Sequence, residues 1–328
     1  MDWRVKAVVQ AILSEIPLGD RLNDSLQRTL GARKTNRLSG GVKGKLRGIT
    51  RMQEALAEAR FDLHGKDLLE IGTGWAPVHA VYLSLLGARV TTFDVKRRLK
   101  ATSYARRALA AMLDEIPSQA KLNSEQRNSL DSFLRGRMDL DALLHALDVT
   151  YVAPVGDAFL LQLPAVSFDL VFSMDVLEHV RPDDMDVILR GQRHILRPGG
   201  LAYHDIGLGD HLTSVDSSIT FSNFLQYDGW LWRYLGENRL AYHNRLRASD
   251  FLRLFQGHGA DVVWSQTRVD GKARADIDEG KLKVSDRFAG HALDDLATSR
   301  LRVLLRHQPR GYLASTERRS PESRAAAS

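Results

Sequence analysis

Three groups of residues in this chain have types and spacings suited to chemistry. In "LLEIGTGWAP", Leu68 to Pro77, the acid Glu70 precedes Gly72 and Gly74, which stand one residue apart. Glycines placed this way let a backbone approach a ligand closely. Asp94 closes "ARVTTFDV" about twenty residues later, where a carboxylate can accept both hydroxyls of a ribose. "YHDIGLGDHL" places His204 and Asp205, then Asp210 and His211, at the end of an apolar run. An unperturbed imidazole titrates near pH ~6.5 and can take the proton of a hydroxyl.

These groups need elements to hold them. Residues 1–60 read as helical, with Trp3, Val5, Val8, Val9, Ile12, Leu13 and Ile16 at helical spacing. "RKTNRLSGGVKGKLRG" reads as a basic, glycine-rich hinge, and "ITRMQEALAEA" as a second amphipathic helix after it. We expect this segment to form a helical lid over a domain spanning 61–310. A basic amphipathic N-terminal helix could also rest peripherally on a membrane surface. From residue 67, strands "DLLEI", "ARVTTFDV", "VTYVAP", "FDLVFSM" and "GLAYHDI" alternate with helices, and residues 96–148 form a helical insertion with Ser124 and Asp139 as N-caps. "SDFLRLFQGHGA" reads as a helix capped by Ser249, followed by strands "DVVWSQTRV" and "RLRVLLRH". This pattern predicts an α/β fold, a Rossmann-like, doubly wound, mostly parallel sheet with N-terminal helices. Residues 311–328 are low in complexity and expected to be disordered.

Composition excludes several chemistries. The chain has 328 residues and no cysteine, which rules out disulfides, cysteine metal sites and a cysteine nucleophile. A net charge of +6 is mild and scattered, and argues against a nucleic-acid partner. No apolar run is long enough to span a membrane, and the N-terminus lacks a signal-peptide pattern, so a cytoplasmic location is expected.

Two residues choose between nucleoside cofactors. A dinucleotide turn needs a third glycine where Pro77 stands. Glu70 would repel a pyrophosphate, whereas a sulfonium cofactor with a free amino group gives a buried acid a partner. The motifs then fall in a familiar order. "LLEIGTGWA", "TTFDV", "VGDAFLLQLP", "FDLVFSMDVLEHV" and "ILRPGG" resemble, in sequence order, the motifs of class I S-adenosylmethionine-dependent methyltransferases, near the type 11 domains. Ala76 replaces the third glycine of that family's turn. The resemblance implies S-adenosyl-L-methionine as cofactor, held by Glu70, Gly72, Thr73, Gly74 and Trp75, with Asp94 and Val95 at the ribose. Asp157 and Ala158 would meet the adenine, and Ser173, Met174 and Asp175 would line the pocket beside the sulfonium. Glu178 and His179 are read as structural, bonding the segment after the fourth strand.

The acceptor is less constrained. A hydroxyl acceptor needs a base, and His204 and His211 are the expected catalytic residues. A metal held by His204, Asp205, Asp210 and His211 matches no ligand spacing, so no metal is expected. "SMDVLEHV" lacks the N/D-P-P-Y/F pattern of amino-methylating DNA enzymes. "IPLGDRLNDSLQRTLG", "ITFSNFLQYDGWLW" and "NRLRASDF" are loosely similar to bacterial methyltransferases of surface-polysaccharide synthesis. That similarity implies methylation of a hydroxyl or amine on a glycan or lipid-linked glycan. A small-metabolite acceptor, an RNA methyltransferase and a non-catalytic cofactor-binding module are the alternatives.

Overall fold

The computed structural model describes residues 2–16, 35–99, 102–115, 123–156, 158–236 and 242–308. Asp157, expected at the adenine, the 311–328 tail, and "PLGDRLNDSLQRTLG" lie outside them. Helices α1 (Trp3–Glu15) and α2 (Thr35–Glu58) precede β1 (Asp67–Ile71), α3 (Val78–Leu85) and β2 (Arg89–Phe93). The insertion follows as α4 (Thr102–Leu113), α5 (Ser124–Leu134) and α6 (Leu140–Ala146). Then come β3 (Val149–Val152), α7 (Phe159–Gln162), β4 (Phe168–Met174), α8 (Pro182–Ile195) and β5 (Leu196–Gly207). The chain continues through α9 (Gly229–Gly236), α10 (Ala248–Gly257), β6 (Ala260–Val269), α11 (Gly271–Asp278), α12 (Leu293–Leu296) and β7 (Thr298–His307).

The strands form one sheet in the order β3-β2-β1-β4-β5-β7-β6. The five strands β3-β2-β1-β4-β5 pair in parallel, and β7 pairs antiparallel with both β5 and β6. The central strands are mostly buried because helices cover both faces, whereas the edge strand β6 is mostly exposed. One core lies between the sheet and α2, α3 and the insertion, and includes Ile49, Met52, Leu56, Leu68, Phe133 and Tyr203. The second lies under α8 and α10, with Leu69, Val171, Ile206, Phe251 and Phe255. Among the described residues, no helix is long and apolar enough to cross a membrane.

Two local expectations change. The glycine-rich stretch is not a hinge from Thr35 onward: "TNRLSGGVKGKLRG" is the first half of the continuous helix α2. Each interior glycine costs a helix about 1 kcal/mol. The burial of Val42, Ile49, Met52, Ala55 and Leu56 in the same core offsets that cost. Two caps also shift. Asn123 rather than Ser124 caps α5, and α10 begins at Ala248, where Asp250 accepts from the Arg247 amide at 2.8 Å. Asp139 caps α6 as expected, accepting from the Ala142 amide at 2.7 Å.

Helix α1 packs its Trp3, Ala7 and Ala11 side inward. The Trp3 ring stands 5.4 Å from Tyr227, and its amide donates to Asp216 at 3.1 Å. Phe224 and Trp232, from the aromatic run after β5, join Leu225, Phe288 and Leu296 in a smaller third core.

Candidate active site

The carboxyl ends of β1, β2, β4 and β5 and one side of α2 enclose a cavity of about 660 Å³. That volume falls within the ~300–1,000 Å³ of small-molecule sites. Its floor is the turn after β1. Gly72 and Gly74 take φ of +86° and +74°, a region closed to most L-residues. A Cβ on Gly72 would come within 2.6 Å of Val176, so this cradle exists only with glycine. The Gly72 and Thr73 amides both donate to the Phe93 carbonyl, at 2.9 and 3.3 Å, which ties the turn to the end of β2.

Asp94 sits on that junction, buried, and accepts from the Gly74 amide at 3.1 Å. Burial pushes its pKa up to about 7, against the opposing pull of Arg98, the Gly74 amide and Lys45. The Gly74 amide and the nearby cations only partly offset the cost of burying this carboxylate.

Beneath the turn lies a buried polar chain. Glu70 accepts from the Thr92 hydroxyl at 2.7 Å and meets His79 Nδ1 at 2.8 Å, while Thr92 and Thr73 share a hydroxyl contact of 2.5 Å. Glu70 does not line the cavity; His79 does. Burial and Lys45 lower the His79 pKa, so the imidazole is neutral and donates from Nδ1 to Glu70. Its buried Nε2 then carries a lone pair and has no partner. An acceptor of this kind beside a glycine cradle suits a ligand ammonium group. Lys45, on α2, also lines the cavity, and desolvation lowers its pKa against the pull of Glu70, Asp175 and Asp94.

The far wall is ionic. Asp205 on β5 is buried and bonds Arg300 Nη1 at 2.5 Å and Arg302 Nε at 3.0 Å. Asp175, with φ of +54°, bonds Arg300 Nη2 at 2.8 Å. Burial works against the Arg300 charge, but Asp175 and Asp205 outweigh it and raise its pKa. Arg268 on β6 completes this wall.

The structure brings Gly72, Gly74, Asp94, Val95, Met174 and Asp175 to the cavity, but not Thr73, Trp75, Ala158 or Ser173. Thr73 and Ser173 support from behind. Trp75 stacks under the Arg98 guanidinium at 5.3 Å, and Ala158 caps α7. The sequence reading missed His79, Lys45, Arg98 and the arginines of β6 and β7. Only the arginines left a signal, since Arg300 and Arg302 alternate with the apolar Leu301 and Val303.

His204 requires correction. Neighbouring strand residues face opposite sides of a sheet, and Asp205 takes the cavity side. His204 is therefore in the second core, fully buried, stacked on Phe255 at 5.5 Å and bonded to Ser173 Oγ at 2.8 Å. Burial drives its pKa down to about 3. It cannot reach a substrate proton. We expect His204→Gln to change turnover by less than about threefold, where loss of a general base costs about 100-fold or more. Steady-state kinetics with a methyl acceptor would decide.

His211 does not line the cavity, but its ring stands 5.0 Å from that of His179, which does. Although His211 keeps contact with solvent, the surrounding protein and then His179 hold its pKa down, to about 4. The four residues His204, Asp205, Asp210 and His211 do not converge. Asp205 is held by arginines, and Asp210 accepts from the Leu212 amide at 2.8 Å and Asn223 at 3.0 Å. Glu178 is fully buried, accepts from the Gly207 amide at 3.1 Å, and has its pKa raised by burial and by Asp175.

The α2 glycines form the roof. Gly41, Gly44 and Gly48 line the cavity, and a Cβ on Gly48 would stand 3.3 Å from Met174 Sδ and 3.8 Å from Asp205. Gly48→Leu should fill this space. Ligand affinity is expected to fall at least about tenfold while the helix gains ~0.8 kcal/mol of propensity. Calorimetry and thermal melts on one variant would show the opposed signs; unchanged affinity would place the ligand elsewhere.

A mostly parallel sheet whose first turn is a glycine cradle, with an acid at the end of the second strand, has the class I methyltransferase fold. A family model described as a methyltransferase domain matches residues 42–265, and the chain belongs to that family. It is an S-adenosylmethionine-dependent methyltransferase. The glycine cradle, Asp94 and the unpartnered His79 Nε2 fit that cofactor.

No curated protein matches the sequence. Among solved structures, an S-adenosylmethionine-dependent methyltransferase from Mesorhizobium loti is 17% identical, covering 75% of this chain and 93% of its own, with a TM-score of 0.41. One from Methanosarcina mazei is 15% identical over 74% of this chain and 93% of its own, with a TM-score of 0.40. The Haemonchus contortus phosphoethanolamine N-methyltransferase 2, solved with phosphomonomethylethanolamine and S-adenosylhomocysteine, is 14% identical over 78% of this chain and 53% of its own, with a TM-score of 0.39.

Proposed function

We propose that the enzyme methylates a hydroxyl or amine of an anionic acceptor: a glycan, lipid-linked glycan or small metabolite bearing phosphate or carboxylate. The observation behind this reading is the polarity of the cavity, which runs from the glycine cradle and Asp94 to a wall containing Arg268, Arg300 and Arg302. Asp175 and Asp205 take part of the Arg300 and Arg302 forks, and the N–H donors that remain on these planar guanidiniums and on Arg268 suit phosphate and carboxylate. When bound, the cofactor supplies an electrophilic methyl group on a sulfonium. The residues of this chain align the acceptor and exclude water, which is most of what such a displacement needs. Gly72 and Gly74 bring the backbone close, Asp94 accepts the ribose hydroxyls, and His79 accepts from an ammonium. The arginine wall would hold the acceptor's anionic group.

The exposed side of α1, with Val5, Val9 and Ile12, supports peripheral contact with a membrane surface, where a lipid-linked acceptor would be met. The test is incubation with adenosylmethionine and paired neutral and anionic glycans, lipid-linked glycans and metabolites. Adenosylhomocysteine release and a gain of one methylene unit by mass spectrometry are the readouts. Methylation of anionic members in preference to their neutral partners supports the reading. Methylation of neutral members alone, or of none, overturns it.

A further inference from the structure

Beside the cavity, two turns bring three potential ligands together. Glu178 and His179 lie in the 3₁₀ turn Leu177–His179 after β4, and His211 opens the 3₁₀ turn His211–Ser214 after β5. One carboxylate oxygen and one nitrogen from each imidazole all lie within 4.8 Å of one another. Donors ~2.1 Å from a shared tetrahedral ion stand ~3.4 Å apart, so small side-chain rotations would close the set.

The donor atoms are prepared for such a role. Glu178 Oε1 accepts from the Gly207 amide at 3.1 Å, while its buried Oε2 has no partner. His179 Nδ1 lies 2.9 Å from the Tyr242 carbonyl. A carbonyl only accepts, so the proton is on Nδ1 and the lone pair is on Nε2. That is the arrangement by which a carbonyl orients a metal-binding histidine. His243 stands behind, its ring 5.0 Å from that of His211, with a buried Nε2 that also lacks a partner.

The surrounding backbone fixes this geometry. Asn244 donates from its side chain to the Leu177 and Val180 carbonyls, at 2.8 and 3.1 Å, and from its amide to the Glu178 carbonyl at 2.9 Å. A Cβ on Gly207 would stand only 2.8 Å from Glu178 Oε1.

We propose that Glu178, His179 and His211 bind one divalent transition cation, of the zinc or manganese class, at the edge of the cavity. Two imidazoles and one carboxylate suit such ions and leave coordination positions open. His179 and Asp175 both line the cavity, so an acceptor oxygen there can reach those positions. This consequence rests on the hydroxyl reading of the acceptor, but cation binding itself does not.

The experiment uses full-length, tag-free protein stripped with a chelator. Zinc and manganese are titrated separately by calorimetry, without cofactor, and metal content is measured after dialysis. We expect one ion per chain for at least one of the two metals. His211→Ala should weaken that binding at least 100-fold, and His179→Ala similarly. The melting temperature and adenosylhomocysteine affinity of His211→Ala should stay near wild type, because His211 keeps contact with solvent and does not line the cavity. Absence of stoichiometric binding, or equal binding by both variants, overturns the proposal. Cation binding by a wild-type protein that does not bind adenosylhomocysteine would uphold this site and reject the cofactor reading.

Discussion

Replacing Asp94 with alanine is expected to weaken adenosylhomocysteine binding by about 1–3 kcal/mol, roughly 5- to 150-fold. In the ligand-free protein, burial leaves this carboxylate with a pKa of about 7 and the Gly74 amide at 3.1 Å. Ribose hydroxyls would add donors to the charged form, so binding should lower the pKa. The affinity should then fall as the pH drops below 7, approaching tenfold per unit, and Asp94→Asn should abolish that slope. The stability of the ligand-free protein should move the other way. A carboxyl with a raised folded pKa contributes stability that is complete below the unfolded value near ~3.9 and is lost as the pH rises through 7. Titration calorimetry from pH 5.5 to 8 would check both variants. A flat profile in the wild type would remove Asp94 from the ribose site.

Arg247→Ala should cost about 3–5 kcal/mol of stability, the range seen when a buried charged network loses a member. Arg247 is fully buried and donates to the carbonyls of Leu208 at 2.6 Å, Leu246 at 3.1 Å and Arg245 at 3.3 Å. Burial lowers its pKa to about 10, with Asp295 and Asp250 opposing, so it stays charged at neutral pH. Through Leu208 it fixes the segment that leaves β5. Alanine would leave a cavity and carbonyls without donors. A fall in melting temperature on the order of 10 °C is expected. A loss below about 1 kcal/mol in denaturant unfolding would contradict this role.

What the sequence disclosed follows from the range of the interactions. The glycine turn and Asp94 were legible because both sit at fixed offsets along one βαβ unit, and Asp139 because a cap acts within one turn of helix. Strands β1, β4 and β5 were legible as apolar runs between turn residues. The helix through Gly40 to Gly48 was not, since its stability comes from core contacts with distant strands rather than from local propensity. His79 gave no signal because its partner, Glu70, is nine residues away across a turn. The misplacement of His204 was avoidable. Adjacent strand residues cannot both face one cavity, and the alternation of Arg300 and Arg302 against Leu301 and Val303 marks the side that Asp205 shares.

The central claim is that the cavity under α2 holds S-adenosylmethionine through the Gly72–Gly74 cradle and Asp94. Calorimetric titration of the wild-type protein with adenosylhomocysteine and, separately, with NAD tests it most directly. The account predicts saturable one-to-one binding of adenosylhomocysteine and no binding of NAD, because Pro77 stands where a pyrophosphate turn needs glycine and Glu70 lies beneath. Tight NAD binding with no adenosylhomocysteine binding would contradict it.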